Sequence, residues 1–310
     1  MAKGGKFSLA AQDNADHKAG VKSAAQSGTA KTVNALTSII QKAAEEGLKK
    51  VADAVKGIAA SGKLFAGAAD GAENIGDVGS ANNKGAGGDP GSVNGIADGM
   101  KAIVEAAGGA EKVLKGVGAA GGGADNNNDA GKLFAGSGAG ANGAADAADV
   151  GKAVAAVNAV SGEQILKAIV DAAGGDAKVG AAANAANNPI AAAIGTNNGA
   201  AFANGMQNKN DKIAAAIVLR GMAKGGKFSL AAQGNADHKA GVKSAAQSGT
   251  AKTVNALTSI IQKAAEEGLK KVADAVKGIA ASGKKLFAGA AGGAEKIGDV
   301  GGANHQGAEG

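Results

Sequence analysis

Residues 211–221 read DKIAAAIVLRG. From Ile213 to Leu219 every side chain is apolar, so a helix built here has no polar stripe to turn toward water. A helix that is apolar all round is stable only when it is packed on every side. The stretch therefore predicts a short helix from Ile213 to Arg220, begun by Asp211 and ended by Gly221. It also predicts that this helix is the centre of whatever core the chain builds.

The rest of the chain gives that centre little bulky material. Of the 310 residues 54 are Gly, there is no Trp or Tyr, and only six are Phe. Much of the 45% hydrophobic content is alanine, whose methyl buries little area at roughly 25 cal/mol per Å². A core of this kind is thin and must come from close approach of helices. Net charge is +6, from Lys scattered among Asp and Glu, with one arginine, Arg220. No Arg-bearing basic patch interleaved with aromatics appears, so the charge describes a solvated mixed surface and no nucleic-acid partner. Without Cys, disulfides, thiolate metal sites, a cysteine nucleophile and a lipid on a cysteine of this chain are excluded. The opening MAKGGKFSLAAQDNADHKAG has no apolar run of signal-peptide type, and no stretch of about 18 apolar residues is present to span a bilayer. The expectation is that this chain carries no export address of its own.

The chain repeats itself. Residues 1–88 align with 222–310 at an offset of 221, with seven substitutions and one inserted lysine. Asp13 stands against Gly234, Asn74 against Lys296 and Asn83 against His305. A period so long is not that of a solenoid; it reads as a piece of a tandem array cut inside a unit. The organisation expected from the repeat is 1–88 as the end of one unit running into the next, 89–221 as loops and inner helices, and 222–310 as the second copy of 1–88.

Helical periodicity dominates, and no alternating strand pattern is convincing. The longest candidate runs from about Thr32 to Ile58. Leu36, Ile40, Ala44, Leu48, Val51, Val55 and Ile58 make one apolar stripe, and Gly47 weakens the middle by about 1 kcal/mol relative to Ala. It recurs from about Thr253 to Ile279, and the two copies are expected to pack antiparallel, Leu36–Ile58 on Leu257–Ile279. Shorter helices are expected after Asp89-Pro90-Gly91, with Ser92 as cap and Val93, Ile96, Met100, Ile103 and Val104 on the inner face. Others are expected around Val150, Val154 and Val157, and from Ser161, whose capping box with Gln164 opens onto Ile165, Leu166, Ile169 and Val170. A further one follows Asn188-Pro189. The Gly/Asn/Ala stretches, such as 118–131, read as exposed loops.

Motifs of chemistry are weak here. GIAASGK at 57–63 has phosphate-loop spacing, but Leu64 follows where Ser or Thr is needed, and a helix precedes it where a strand is needed. GAGANG at 138–143 fits a dinucleotide fingerprint only in a Gly/Ala background. DNNNDAG at 125–131 begins like a calcium loop, but Ala130 and Gly136 occupy the positions that need Gly and Glu. His17 and His238 are one position seen twice, and His305 stands alone. No catalytic, cofactor-binding or metal-binding residue is expected.

Several long segments carry a resemblance: MQNKNDKIAAAIVLRGMAKGGKF at 206–228, VSGEQILKAIVDAAGG at 160–175, NPIAAAIG at 188–195, and KLFAG before Ala/Gly-rich sequence. Together these resemble the variable large proteins and Vls-type variable major proteins of Borrelia spirochaetes, over nearly the whole chain. The resemblance implies an all-α fold, a bundle of short helices with long terminal helices packed together and Gly/Ala/Asn-rich variable loops. It implies a lipid-anchored protein exposed on the cell outer membrane, switched by recombination to evade host antibodies, with no catalysis and no cofactor. The family's leader and lipidated cysteine do not appear in this sequence. Two other readings stand beside it: an adhesin that binds a host extracellular macromolecule, and an unexpressed archive cassette.

Overall fold

The structure, a computed structural model, describes residues 15–69, 75–79, 85–120, 126–136, 144–175, 178–196, 198–231 and 236–288, with side chains 50, 51, 53–69 and 279–288 left aside. Among the described residues eight α-helices form in chain order: α1 Ala15–Ala69, α2 Pro90–Ala106, α3 Ala110–Val113, α4 Ala147–Asn158, α5 Gly162–Ala173, α6 Pro189–Ile194, α7 Asn210–Met222 and α8 Ala236–Ala288. Two 3₁₀ turns, Asn128–Phe134 and Asn204–Met206, join them. Among the described residues there is no strand, only three isolated bridges, and the expected all-α class holds. No single described helix is long and apolar enough to cross a membrane.

The chain divides into two compact units, Met1–Val51 with Glu266–Gly310, and Ala52–Ala265. The divisions fall inside α1 and α8, and so inside both copies of the repeat.

In the unit Ala52–Ala265, α7 is the hub. Every residue of α7 except Lys212 is buried, and α2, α4, α5 and α6 all pack on it. The caps explain where the surrounding helices start. Ser161 Oγ accepts from Gln164 N–H at 3.2 Å and Gln164 Oε1 accepts from Ser161 N–H at 2.9 Å, the reciprocal box that the sequence predicts. Asp146 and Asp149 form a second box at α4, which the sequence reading missed. Asn188 caps α6, accepting from Ala191 N–H at 2.9 Å, with Pro189 in the first turn. At α2 the cap is Asp89 and not Ser92: Asp89 Oδ1 accepts from Ser92 N–H at 2.8 Å. Ser92 Oγ instead accepts from Lys224 N–H at 3.0 Å. The expected inner residues Val93, Ile96, Met100, Ile103, Val104, Val150, Val157, Ile165, Leu166, Ile169 and Val170 are buried.

Besides the Ser92 cap, two expectations for this unit need correction. Gly221 does not end α7, which continues to Met222; a Cβ at Gly221 would lie 3.1 Å from the Ala246 methyl, so glycine here permits close approach of α8. The stretch 118–131 is not loop throughout: Asn127, Asn128, Ala130 and Gly131 are buried, and a 3₁₀ turn starts at Asn128. Phe202 N–H, 2.7 Å from the Asn128 carbonyl, ties it down.

In the other unit, α1 and α8 run antiparallel. A Cβ on Gly47 would lie 2.8 Å from Val272 Cγ2 and 3.0 Å from the Gly268 carbonyl, while Ile39, Ile40 and Ala43 share a groove with Ala275 and Gly278. The expected antiparallel pairing is present over these residues. Its contact row is Ile40, Ala43 and Gly47, not the stripe through Leu48, because only a residue without a side chain lets the two backbones come this close.

Candidate functional surface

The chemistry of this molecule centres on how α7 is covered. Arg220, near the end of α7, is fully buried. Its Nε donates to the Ala193 carbonyl at 3.0 Å and its Nη2 to the Ala192 carbonyl at 3.3 Å, closing the last turn of α6. Cations favour helix C-termini, where unpaired carbonyls concentrate partial negative charge. The guanidinium carbon also sits 4.6 Å from the centroid of the Phe134 ring. Phe134 meets Phe202 at 5.2 Å and Phe228 edge-on at 5.7 Å, so three of the six phenylalanines form one knot, with the buried cation over the Phe134 ring. Burial lowers the Arg220 pKa to about 9.

A second feature is the asparagine clasp at the start of α7. Asn127 Nδ2 donates to Asn210 Oδ1 at 3.0 Å, and Asn128 Nδ2 donates to Asn208 Oδ1 at 3.1 Å. Asn208 N–H returns to Asn128 Oδ1 at 2.8 Å. Asn208 and Asn204 have φ of 53° and 49°, the left-handed region that asparagine tolerates better than most residues. Within DNNNDAG, the Asn127 amide is thus spent on the first residue of α7 and the Asn128 amide on Asn208 just before it. Among the described residues no group of three or more metal-ligating side chains comes together.

The third feature is a strap. Residues 224–231, the opening of the second repeat copy, run between elements of the first copy's tail and the core. Lys227 N–H and C=O pair with Ala86 at 2.9 and 3.0 Å, Phe228 N–H reaches the Asp77 carbonyl at 2.8 Å, and Gly79 N–H reaches the Phe228 carbonyl at 3.1 Å. Ser229 N–H reaches the Leu133 carbonyl and Ala231 N–H the Ala145 carbonyl, each at 2.8 Å. Phe228 and Leu230 are fully buried. A Cβ on Gly85 would lie 2.2 Å from the Ala135 carbonyl, so the tail has room only for glycine there.

Of the weak motifs, GIAASGK at 57–63 lies within α1, where a phosphate loop has no backbone N–H groups to offer. GAGANG at 138–143 and His305 lie outside the described residues. His17 and His238 are in the first turns of α1 and α8. Lys132 Nζ pairs with the buried Asp149 at 2.9 Å, a hydrogen bond that raises the lysine pKa. Sequence reasoning missed Arg220, the clasp and the strap. For Arg220 a signal existed, since it is the only arginine and adjoins an all-apolar helix. For the strap none did, because MAKGGKFSLA has neither periodicity.

Curated relatives match over limited stretches. Residues here are 46% identical over 70 residues to variable large protein 14 of Borrelia hermsii, covering 23% of this chain and 18% of that protein. They are 41% identical over 95 residues to variable large protein 12 of the same organism, covering 31% and 26%. The fold extends further. The crystal structure of the Lyme disease variable surface antigen VlsE of Borrelia burgdorferi matches 84% of this chain and 93% of its own at 41% identity, with a TM-score of 0.67. The family model described as Borrelia lipoprotein matches residues 1–55 and 56–276, and the chain belongs to that family.

Proposed function

We propose that this chain is an antigenically variable surface antigen: a fixed helical skeleton that holds replaceable exposed segments, displayed on the outer membrane through a lipid anchor and exchanged by recombination to escape host antibodies. The observation that carries the reading is the contrast between α7 and its connections. Ile213–Leu219 is buried on every side, whereas in the Gly/Ala connection 115–120 four of the six residues are exposed and none is buried. The likeness to variable large proteins and to VlsE supports the same reading. A skeleton of this kind tolerates change outside it, because surface substitutions away from packed features shift stability by only about 0.5 kcal/mol. No catalytic role is part of the proposal.

Immunochemistry tests it. Antibodies raised against a peptide of residues 206–228 are expected to bind denatured chain and to fail on folded chain. Antibodies raised against folded chain are expected to lose binding when the exposed connections are exchanged. Equal binding of the first antibodies to folded and denatured chain would overturn the proposal.

A further inference from the structure

Four asparagines stand directly before a glycine: Asn94, Asn142, Asn198 and Asn204. An asparagine so placed carries a reaction of its own. The backbone nitrogen of the next residue attacks the side-chain carbonyl carbon, and glycine, with no Cβ and a wide choice of φ, obstructs that attack least. The attack needs a chain free to turn at the asparagine, and the fold decides that freedom. Asn142 lies outside the described residues; the other three sit in three different settings.

Asn94 is inside α2, where the Gly95 N–H belongs to the helix ladder. Its Nδ2 donates to the Lys178 carbonyl at 3.3 Å. Asn204 opens the 3₁₀ turn Asn204–Met206, and its Nδ2 donates to the Asn184 carbonyl at 2.8 Å. Gly205 is pressed against the chain beside it: a Cβ there would lie 2.4 Å from the Asn187 carbonyl oxygen. In both places the side chain and the following backbone are held by separate partners, so ring closure first requires local opening. Asn198–Gly199 belongs to neither a helix nor a turn, and Asn198 is exposed. Among the described residues no hydrogen bond holds the Asn198 side chain or the Gly199 N–H. The connection is anchored on either side, by Gly195 N–H on the Ala191 carbonyl at 2.9 Å and by Phe202 N–H on the Asn128 carbonyl at 2.7 Å.

We propose that Asn198 is a site of spontaneous covalent modification, converted in the folded chain to aspartate and isoaspartate by attack of the Gly199 nitrogen. The bond from Gly199 N to Asn198 Cγ forms and the Cγ–Nδ2 bond breaks. Nδ2 leaves as ammonia, with the proton that the Gly199 nitrogen gives up. Water then opens the cyclic imide. Cleavage at Cγ restores the ordinary main chain and leaves aspartate. Cleavage between the Asn198 carbonyl carbon and Gly199 N routes the main chain through Cγ and adds the Cβ methylene to it. Either product replaces an uncharged amide by a carboxylate; one water is consumed, one ammonia is released, and nothing is oxidised or reduced. The anchors at Gly195 and Phe202 confine the added length to the connection. An exposed connection altered in this way presents a different surface to antibodies with no change of gene. That consequence rests on the proposed function, whereas the conversion itself does not.

Peptide mapping by mass spectrometry of the full chain, sampled over time in mildly alkaline buffer, tests this. Acid and isoaspartate are expected to accumulate at Asn198 roughly tenfold faster or more than at Asn94 and Asn204, which react only on opening. In concentrated urea the three rates are expected to converge, because the fold no longer holds Asn94 and Asn204. Asn198→Gln, whose longer side chain closes the ring far less readily, is expected to stop acid formation at that position with helix content unchanged by circular dichroism. An Asn198 no faster than the other two in folded chain would overturn the proposal. So would an advantage of the same size in urea, which would make neighbouring sequence and not the fold its cause. The readout is mass alone, so it stands or falls apart from any antibody; unchanged binding of antibodies to converted chain would count against the antigenic consequence only.

Discussion

At the residue scale the decisive positions are one arginine and a few glycines. Gly195 has φ of 66°, and a Cβ there would lie 2.0 Å from Arg220 Nη2. Gly195→Ala is expected to cost about 2 kcal/mol or more, through backbone strain and displacement of the buried guanidinium. Gly151, inside α4 with open space around its Cβ position, is the contrast: Gly151→Ala is expected to stabilise by roughly 0.5–1 kcal/mol. Urea unfolding of both variants checks the pair. Arg220 gives a pH prediction. Its native pKa of about 9 lies below the ordinary guanidinium value, so above pH 9 the native state holds fewer protons than the unfolded state. Stability from this residue is therefore lowest and flat below pH 9 and rises above it. The difference between wild type and Arg220→Met, a variant with no charge to bury, is expected to be constant from pH 6 to 8 (on the order of a tenth of a kcal/mol of drift) and then to move in favour of wild type by up to about 1.4 kcal/mol per pH unit above 9. A difference that stays flat to pH 11 would show that Arg220 keeps its ordinary pKa in the fold.

At the element scale the repeat separates what a sequence dictates from what its neighbours decide. α1 and α8 share their sequence from Ala15 and Ala236 up to the lysine inserted near the end of α8, and both are helical well beyond the Thr32–Ile58 and Thr253–Ile279 that periodicity predicts. Burial was another matter. Ile39 is 65% exposed and its equivalent Ile260 is 4% exposed; Thr32 is exposed and its equivalent Thr253 is buried, bonded to the Gly249 carbonyl at 2.8 Å. Ile260→Ala is expected to cost about 2–5 kcal/mol, as large-to-small changes in cores do, and Ile39→Ala to fall within about 0.5 kcal/mol. Equal effects in thermal or urea unfolding would contradict the assigned packing. The caps at Ser161 and Asn188 and the inner faces of α2 and α5 were legible because each rests on a local hydrogen bond or a fixed spacing. KLFAG shows the limit of such reading: residues 63–67 lie in α1, while Lys132 to Phe134 close a 3₁₀ turn that carries Phe134 to Arg220. The same letters take the form that their surroundings reward. The surface reading of Asn127 and Asn128 failed for a related reason, since amides that look solvated in sequence found partners 80 and more residues away.

For the whole molecule, the repeat boundary and the packing boundary do not coincide. The sequence marks a division at Met222, where the copy begins, yet Gly221 and Met222 are both buried at the end of α7. The strap that follows supplies Phe228 and Leu230, and α8 adds Val242, Leu257 and Ile260 to the same core. The compact unit is Ala52–Ala265, shifted within the period. Residues 1–44 repeat 222–265 except for Asp13 against Gly234, so a chain of residues 1–221 holds nearly every segment of that unit in permuted order. Its new ends, however, fall between the buried residues Gly221 and Met222, and burying a free carboxylate or ammonium is costly unless it is paired. Cuts are tolerated where the backbone is exposed and poorly bonded, and this position is neither. A fragment 52–265 is therefore expected to unfold in one cooperative urea transition with hydrogen exchange slowest across Ile213–Leu219. A fragment 1–221, of closely similar length and composition, is expected to show a transition at markedly lower urea or none. If 1–221 matched 52–265 in midpoint and in protection of α7, continuity of chain from α7 into the strap would be irrelevant to stability, and the period could be cut at its sequence boundary without loss.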